Sequence, residues 1–201
     1  MPRRLVFWEV DAQEDFMLPG GKLYVPGAEK IIPNIRRLVN AAQSSGMLLV
    51  SSACAHGDND PEFQTFPTHC IKGTPGARII ADGMLSKFTT IASDPSFALT
   101  EQILDSSQIV IEKQMLDVFS NPHTDSLVQR IGPGAEYVVF GVVTEYCVRC
   151  ASQGLLDRGR NVFIVRDAIE TLSPEAGRST IDSLQSAGAR LIDTAEAVRL
   201  V

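Results

Sequence analysis

The chain's clearest chemical signal runs from Phe140 to Cys150, reading Phe-Gly-Val-Val-Thr-Glu-Tyr-Cys-Val-Arg-Cys. Tyr137 to Phe140 is the apolar, aromatic and β-branched run of a buried parallel strand. Val148, Ala151, Leu155 and Leu156 then recur at helical spacing. Cys147 therefore stands at a strand–turn–helix junction, in the first turn of the helix. Unpaired N–H groups there favour a thiolate and can hold an oxyanion. A thiol so placed can attack a carbonyl carbon. Two other readings stay open. Cys147 can be a small buried hydrophobe, or Cys147-x-x-Cys150 can be a redox pair, or half of a zinc site with Cys54-x-His56.

Two further residues stand where they could serve such a thiol. Asp11 follows the apolar run Leu5–Val10, and Lys113 follows Ile109-Val110-Ile111. Taken alone, each reads as an ordinary solvated charge. Between them lies a long polar region, 51–107, holding two of the three histidines. It contains Cys54, His56, Glu62, Phe63, Phe66, His69 and Cys70, then the turn Gly73-Thr74-Pro75-Gly76. Long loops of this kind are more often functional than structural.

The elements that must position these residues alternate along the chain. After the first strand, Ile31, Ile35, Leu38 and Ala42 mark an amphipathic helix over Glu29–Ser45, stopped by Gly46. Met47–Val50 is the next strand. A short helix is expected from Asp94-Pro95, with Asp94 as N-cap and Phe97, Ile103 and Leu104 facing inward. The strand at Ile109–Ile111, a helix at Ser126–Ile131, the Tyr137 strand and a Cys147–Asp157 helix follow. Asn161–Val165 is a strand. Ser173 caps a helix with Pro174 at its first position. Ala189–Ile192 and a terminal helical turn from Thr194 to Val201 end the chain. The pattern predicts one α/β domain over residues 1–201, a Rossmann-like three-layer sandwich with a mostly parallel sheet flanked by helices. In such a sheet Asp11, Lys113 and Cys147 all lie at C-terminal strand ends, where they can converge on one cleft.

Composition narrows the partners. A 201-residue chain, 44% apolar with net charge −6 and no basic cluster, is expected to bind neither nucleic acid nor an anionic membrane. No apolar run reaches membrane-span length. Met1-Pro2-Arg3-Arg4 is basic, but Leu5–Val10 is too short for a signal-peptide core. The four irregularly spaced cysteines point to reduced thiols and a cytoplasmic protein. A small-molecule substrate and a homo-oligomeric assembly are expected.

Asp11-x-Gln13-x-Asp15-Phe16, Lys113 after a strand, and Gly141-Val142-Val143-Thr144-x-x-Cys147 together resemble the isochorismatase-like cysteine hydrolases, most closely the nicotinamidase branch. The His56…Glu62-Phe63…Phe66-Pro67-x-His69-Cys70 stretch extends the resemblance across nearly the whole chain. It implies a Cys147–Lys113–Asp11 triad and a cis peptide between Val142 and Val143. The Val143 and Cys147 N–H groups would form the oxyanion hole, and a thioester would form from a small amide, foremost nicotinamide. Phe16 and Phe66 match positions flanking a flat ring, and Tyr146 would line the same pocket. The resemblance also implies a divalent metal at Cys54, His56, Glu62 and His69. Cys54 stands where aspartate is usual, which favours zinc over iron or manganese. Other amides, ureides or carbamoyl compounds, isochorismate hydrolysis, and a non-catalytic thiol-based binding or redox-sensing module remain as alternatives. Glu145 replaces a more usual aspartate, and Glu9 shares a strand face with Asp11.

Overall fold

A computed structural model describes residues 4–201; Met1, Pro2 and Arg3 lie outside it. The strands are β1 (Arg4–Val10), β2 (Leu48–Cys54), β3 (Phe88–Ile91), β4 (Gln108–Lys113), β5 (Ala135–Gly141), β6 (Asn161–Ile169) and β7 (Arg190–Ile192). They form one sheet in the order β3-β4-β2-β1-β5-β6-β7, with every pairing parallel. The helices are α1 (Glu14–Met17), α2 (Ile32–Ser44), α3 (Thr124–Ile131), α4 (Arg149–Asp157), α5 (Pro174–Ser186) and α6 (Thr194–Val198). Short 3-10 turns connect several of them.

Strand alternation divides the core into two layers. Phe7, Leu49, Val138, Phe140 and Phe163 pack with Ile35, Leu38 and Ala42 of α2. Val6, Trp8, Val10, Ile109, Ile111 and Val139 pack on the other face with Leu127 of α3 and Ala151 and Leu155 of α4. This is the three-layer sandwich that the periodicity predicts. No helix of the described residues is long and apolar enough to cross a membrane.

Several boundaries differ from the sequence reading, each for a local reason. The helix expected from Glu29 begins at Ile32, after a separate 3-10 turn at Ala28–Lys30. Pro33 has no N–H to donate to the Glu29 carbonyl, so the ladder cannot run through. β2 continues past Val50 to Cys54, so the long loop region starts later than 51. Ser51 and Ser52 look like loop residues, yet their hydroxyls bond to Glu9 and Asp11 inside the sheet. The helix expected at Asp94 is absent. Asp94 Oδ1 instead accepts from the Ser96 N–H at 2.8 Å, a local turn that competes with helix formation. Ile103 is buried from a 3-10 turn at Glu101–Asp105. The edge strand β3 is too short to carry a periodic signal.

The chain leaves β1 first toward β2 and later returns toward β5. Neighbouring connections therefore diverge at the C-terminal edge between β1 and β5, the position where open α/β sheets leave a crevice. Gly141 makes the crossing tight. Its φ is +118°, and a Cβ there would stand 2.0 Å from the Val10 carbonyl oxygen. Only glycine fits.

Candidate active site

Asp11 immediately follows β1 with φ +48°, a left-handed conformation that aspartate tolerates better than most residues. Its Oδ1 accepts from the Ser52 hydroxyl at 2.7 Å, and its Oδ2 lies 2.9 Å from Lys113 Nζ. Lys113 ends β4 and is fully buried. Asn121 secures that strand end by donating to the Glu112 carbonyl at 2.8 Å. Cys147 lies in a π-type turn, Thr144–Val148, that runs directly into α4. Its sulfur is 3.6 Å from Lys113 Nζ. Three strand ends thus bring carboxylate, ammonium and thiol together, as expected from topology. The Val142–Val143 peptide is cis, and Val143 and Cys147 line the same pocket.

The electrostatics correct one expectation. Burial pushes the Cys147 thiol up, the Asp11 carboxylate pushes it further, and Lys113 only partly opposes them. A hydrogen bond from the thiol to Asp11 acts in the same direction. The thiolate foreseen at the helix end is therefore a thiol here, because desolvation outweighs the helix end and the ammonium. Burial also disfavours the Lys113 charge. The Asp11 carboxylate opposes that effect first and foremost, and the lysine stays above its ordinary range.

Cys54 ends β2 opposite Lys113 in register. Its sulfur accepts from Lys113 Nζ at 3.1 Å. Burial pushes its thiol up to about 12. Gln13 fixes the Cys54 backbone from both sides: Oε1 accepts the Cys54 N–H at 2.7 Å and Nε2 donates to the Cys54 carbonyl at 2.8 Å.

His56 and His69 meet because His56 pairs with Ile71 in a parallel bridge. Their rings lie 4.7 Å apart, flanked by Phe16 and Phe63. Asp15 supports the second histidine's segment by accepting the Cys70 N–H at 2.7 Å. A side chain at Gly76 would strike that carboxylate at 2.3 Å. Cys54, His56 and His69 offer ligand atoms within 4.8 Å of one another, and all three are buried. His69 Nδ1 donates to the Pro67 carbonyl at 2.7 Å, which leaves Nε2 with its lone pair. Burial lowers the His69 pKa, keeping the ring neutral. His56 Nε2 is buried with no hydrogen-bond partner. Orphaned buried imidazole nitrogen, a free imidazole lone pair and a thiol fit a thiophilic divalent ion such as zinc. Glu62 lines the pocket but stands outside this group. The carboxylate nearest His56 is Asp60, 3.0 Å from its Nδ1. A short acidic residue four positions after a histidine gives no distinctive sequence signal, so this partner was not foreseen.

Cys54, Glu62, His69, Val143 and Cys147 share their pocket with apolar side chains. These include the expected Phe16, Phe66 and Tyr146, and also Leu116 and Leu172, which the sequence did not single out. Phe66 and Tyr146 meet edge to face at 5.8 Å. All four cysteines are free thiols, and the cluster of possible metal ligands does not include Cys150. Among the described residues, the zinc site that would join Cys147 and Cys150 to Cys54 and His56 is therefore not assembled.

The isochorismatase domain model matches residues 5–196. A probable inactive nicotinamidase from Arabidopsis thaliana is 25% identical over 194 residues, covering 90% of this chain and 88% of the relative. Nicotinamidase from Escherichia coli K12 is 24% identical over 219 residues, covering 97% of this chain and 96% of the relative. The crystal structure of Pyrococcus horikoshii pyrazinamidase in complex with zinc superposes with a TM-score of 0.76 at 26% identity, covering 94% of this chain and 99% of that one.

Proposed function

We propose that this chain, which belongs to the isochorismatase domain family, hydrolyses a small ring amide, foremost nicotinamide, to the acid and ammonia through Cys147. One observation carries the reading. Lys113 Nζ lies within 2.9 Å of Asp11 and 3.6 Å of Cys147, and Cys147 lines an apolar pocket. The amide-hydrolysing relatives support the class of reaction.

Asp11 takes the proton from the Cys147 thiol as the sulfur attacks the carbonyl carbon. Because the thiol is neutral beforehand, proton transfer accompanies attack instead of preceding it. Lys113 stays charged throughout and stabilises both the carboxylate and the developing thiolate. The Val143 and Cys147 N–H groups hold the tetrahedral oxyanion. Asp11 returns the proton to the departing nitrogen, and ammonia leaves from a thioester. Asp11 then activates water, which releases the acid and restores the thiol. Phe16, Phe66 and Tyr146 orient a flat ring beside the sulfur. Cys54, His56 and His69 would hold a zinc ion, which when bound supplies a Lewis-acidic position for a ring nitrogen.

Ammonia release from a panel of small amides, with and without a ring nitrogen and with and without chelator, tests the reading. Nicotinamide should be the best substrate, and benzamide, lacking the nitrogen, a poor one. Equal rates for both, indifferent to chelator, would remove the metal from substrate binding. No ammonia from any amide would remove the activity.

A further inference from the structure

Glu145 precedes the nucleophile by two residues in the turn Thr144–Val148, and the chemistry above makes no use of it. Its carboxylate faces the β6–α5 connection. Oε2 accepts from the Thr171 hydroxyl at 2.6 Å. Oε1 accepts the Leu172 N–H at 3.0 Å and the Ser173 N–H at 2.8 Å. In parallel, the Thr144 N–H and hydroxyl both donate to the Glu170 carbonyl at 2.8 Å. The nucleophile's turn and the Glu170–Ser173 segment are therefore tied together at two points, the Glu170 carbonyl and the Glu145 carboxylate.

The tie decides where Leu172 stands. Leu172 is 44% exposed, so packing alone does not hold it. Yet it lines the pocket that contains Cys147. Its own N–H is one of the groups bound to Glu145. Hydrogen bonds to a charged acceptor are about twice as strong as neutral ones. Without them, the Leu172 and Ser173 N–H groups lose their acceptor, the Thr171 hydroxyl keeps only the Ser173 carbonyl, and the segment stays tied to the nucleophile's turn only at Glu170.

We propose that Glu145 is a positioning residue that holds Leu172 as the outer wall of the substrate pocket and so limits the site to compact, flat amides. The consequence for turnover rests on the amide-hydrolysis reading; the wall itself is readable with thiol reagents.

The test measures alkylation of Cys147 by iodoacetamide and by its bulkier N-phenyl analogue, iodoacetanilide, followed by peptide mass mapping. Glu145→Ala and Leu172→Ala should each raise the bulky-to-small rate ratio by about tenfold, the scale of a change in pocket fit. Thr171→Val, which removes one of the three donors, should raise it less and serves if Glu145→Ala does not fold. For amide hydrolysis, Glu145→Ala should raise KM with kcat within about twofold. In a Leu172→Ala background it should add nothing further, because one residue acts through the other. An unchanged rate ratio in Glu145→Ala or Thr171→Val overturns the proposal, as does additivity in the double variant. A collapse of both kcat and the iodoacetamide rate also overturns it, placing Glu145 in support of the nucleophile. A shifted ratio in a protein that hydrolyses no amide upholds the wall and refutes the proposed activity instead.

Discussion

The Lys113 ammonium lies 3.1 Å from the Cys54 sulfur, closer than its 3.6 Å approach to Cys147. The thiol that joins the histidine group thus also stands beside Asp11, Lys113 and Cys147. Aspartate at this position would place a second carboxylate beside Asp11 and Lys113. Cysteine gives a softer donor and leaves Asp11, among the described residues, the only acidic residue paired with the ammonium.

The first consequence concerns metal. Protein purified without chelator should carry zinc in preference to manganese or iron, read by elemental analysis. Cys54→Ala and His69→Ala should lose more affinity than the roughly 10–100-fold typical of removing an outer partner of a ligand. Asp60→Asn should fall within that range, since Asp60 only contacts His56. Metal content indifferent to all three substitutions would remove the site.

Lys113→Met should lower turnover by about 10²–10⁴. It should also destabilise the fold by about 3–5 kcal/mol, because Asp11 is left buried and uncompensated. Adding Asp11→Asn should restore part of that stability and none of the activity. Denaturant unfolding of the single and double variants checks this. Unchanged turnover in Lys113→Met would remove Lys113 from the chemistry, and unchanged stability would contradict the buried ion pair.

Glu9 is fully buried, and burial raises its pKa to about 8. The Ser51 hydroxyl bonds to it at 2.7 Å, and Gln108 donates to Ser51 at 2.8 Å. Glu9 thus folds as a neutral acid beneath Asp11. Its folded pKa lies above the unfolded value near 4.5. The native state therefore holds the extra proton between those limits, and stability falls as pH rises through them. The stability of Glu9→Gln relative to wild type should grow by up to about 1.4 kcal/mol per pH unit from about 4.5 to about 8, then level off. A difference independent of pH across that window would show that Glu9 is ionised in the fold.

The convergence of Asp11, Lys113 and Cys147 was legible because strand-end position is written in hydrophobic runs: Leu5–Val10 before Asp11, Ile109–Ile111 before Lys113, and Tyr137–Phe140 before the Cys147 turn. Parallel pairing then places all three at one edge. What stayed hidden depends on side chains meeting across the fold. Ser51 and Ser52 are small and polar, so β2 reads as ending early, although their hydroxyls serve buried acids. Glu145 shows in the sequence only as a departure from a more usual aspartate, and its loop partners lie 26 to 28 residues further along the chain. The neutrality of Cys147 follows from burial, which no local motif reports.

The most direct measurement is ammonia released from nicotinamide by wild-type protein and by Cys147→Ser, both shown to be folded by thermal unfolding. The expected result is one ammonia per nicotinate from the wild type and a loss of at least about 10³-fold in the variant, as for removal of a covalent nucleophile. Undiminished ammonia release by Cys147→Ser would contradict the covalent role of Cys147.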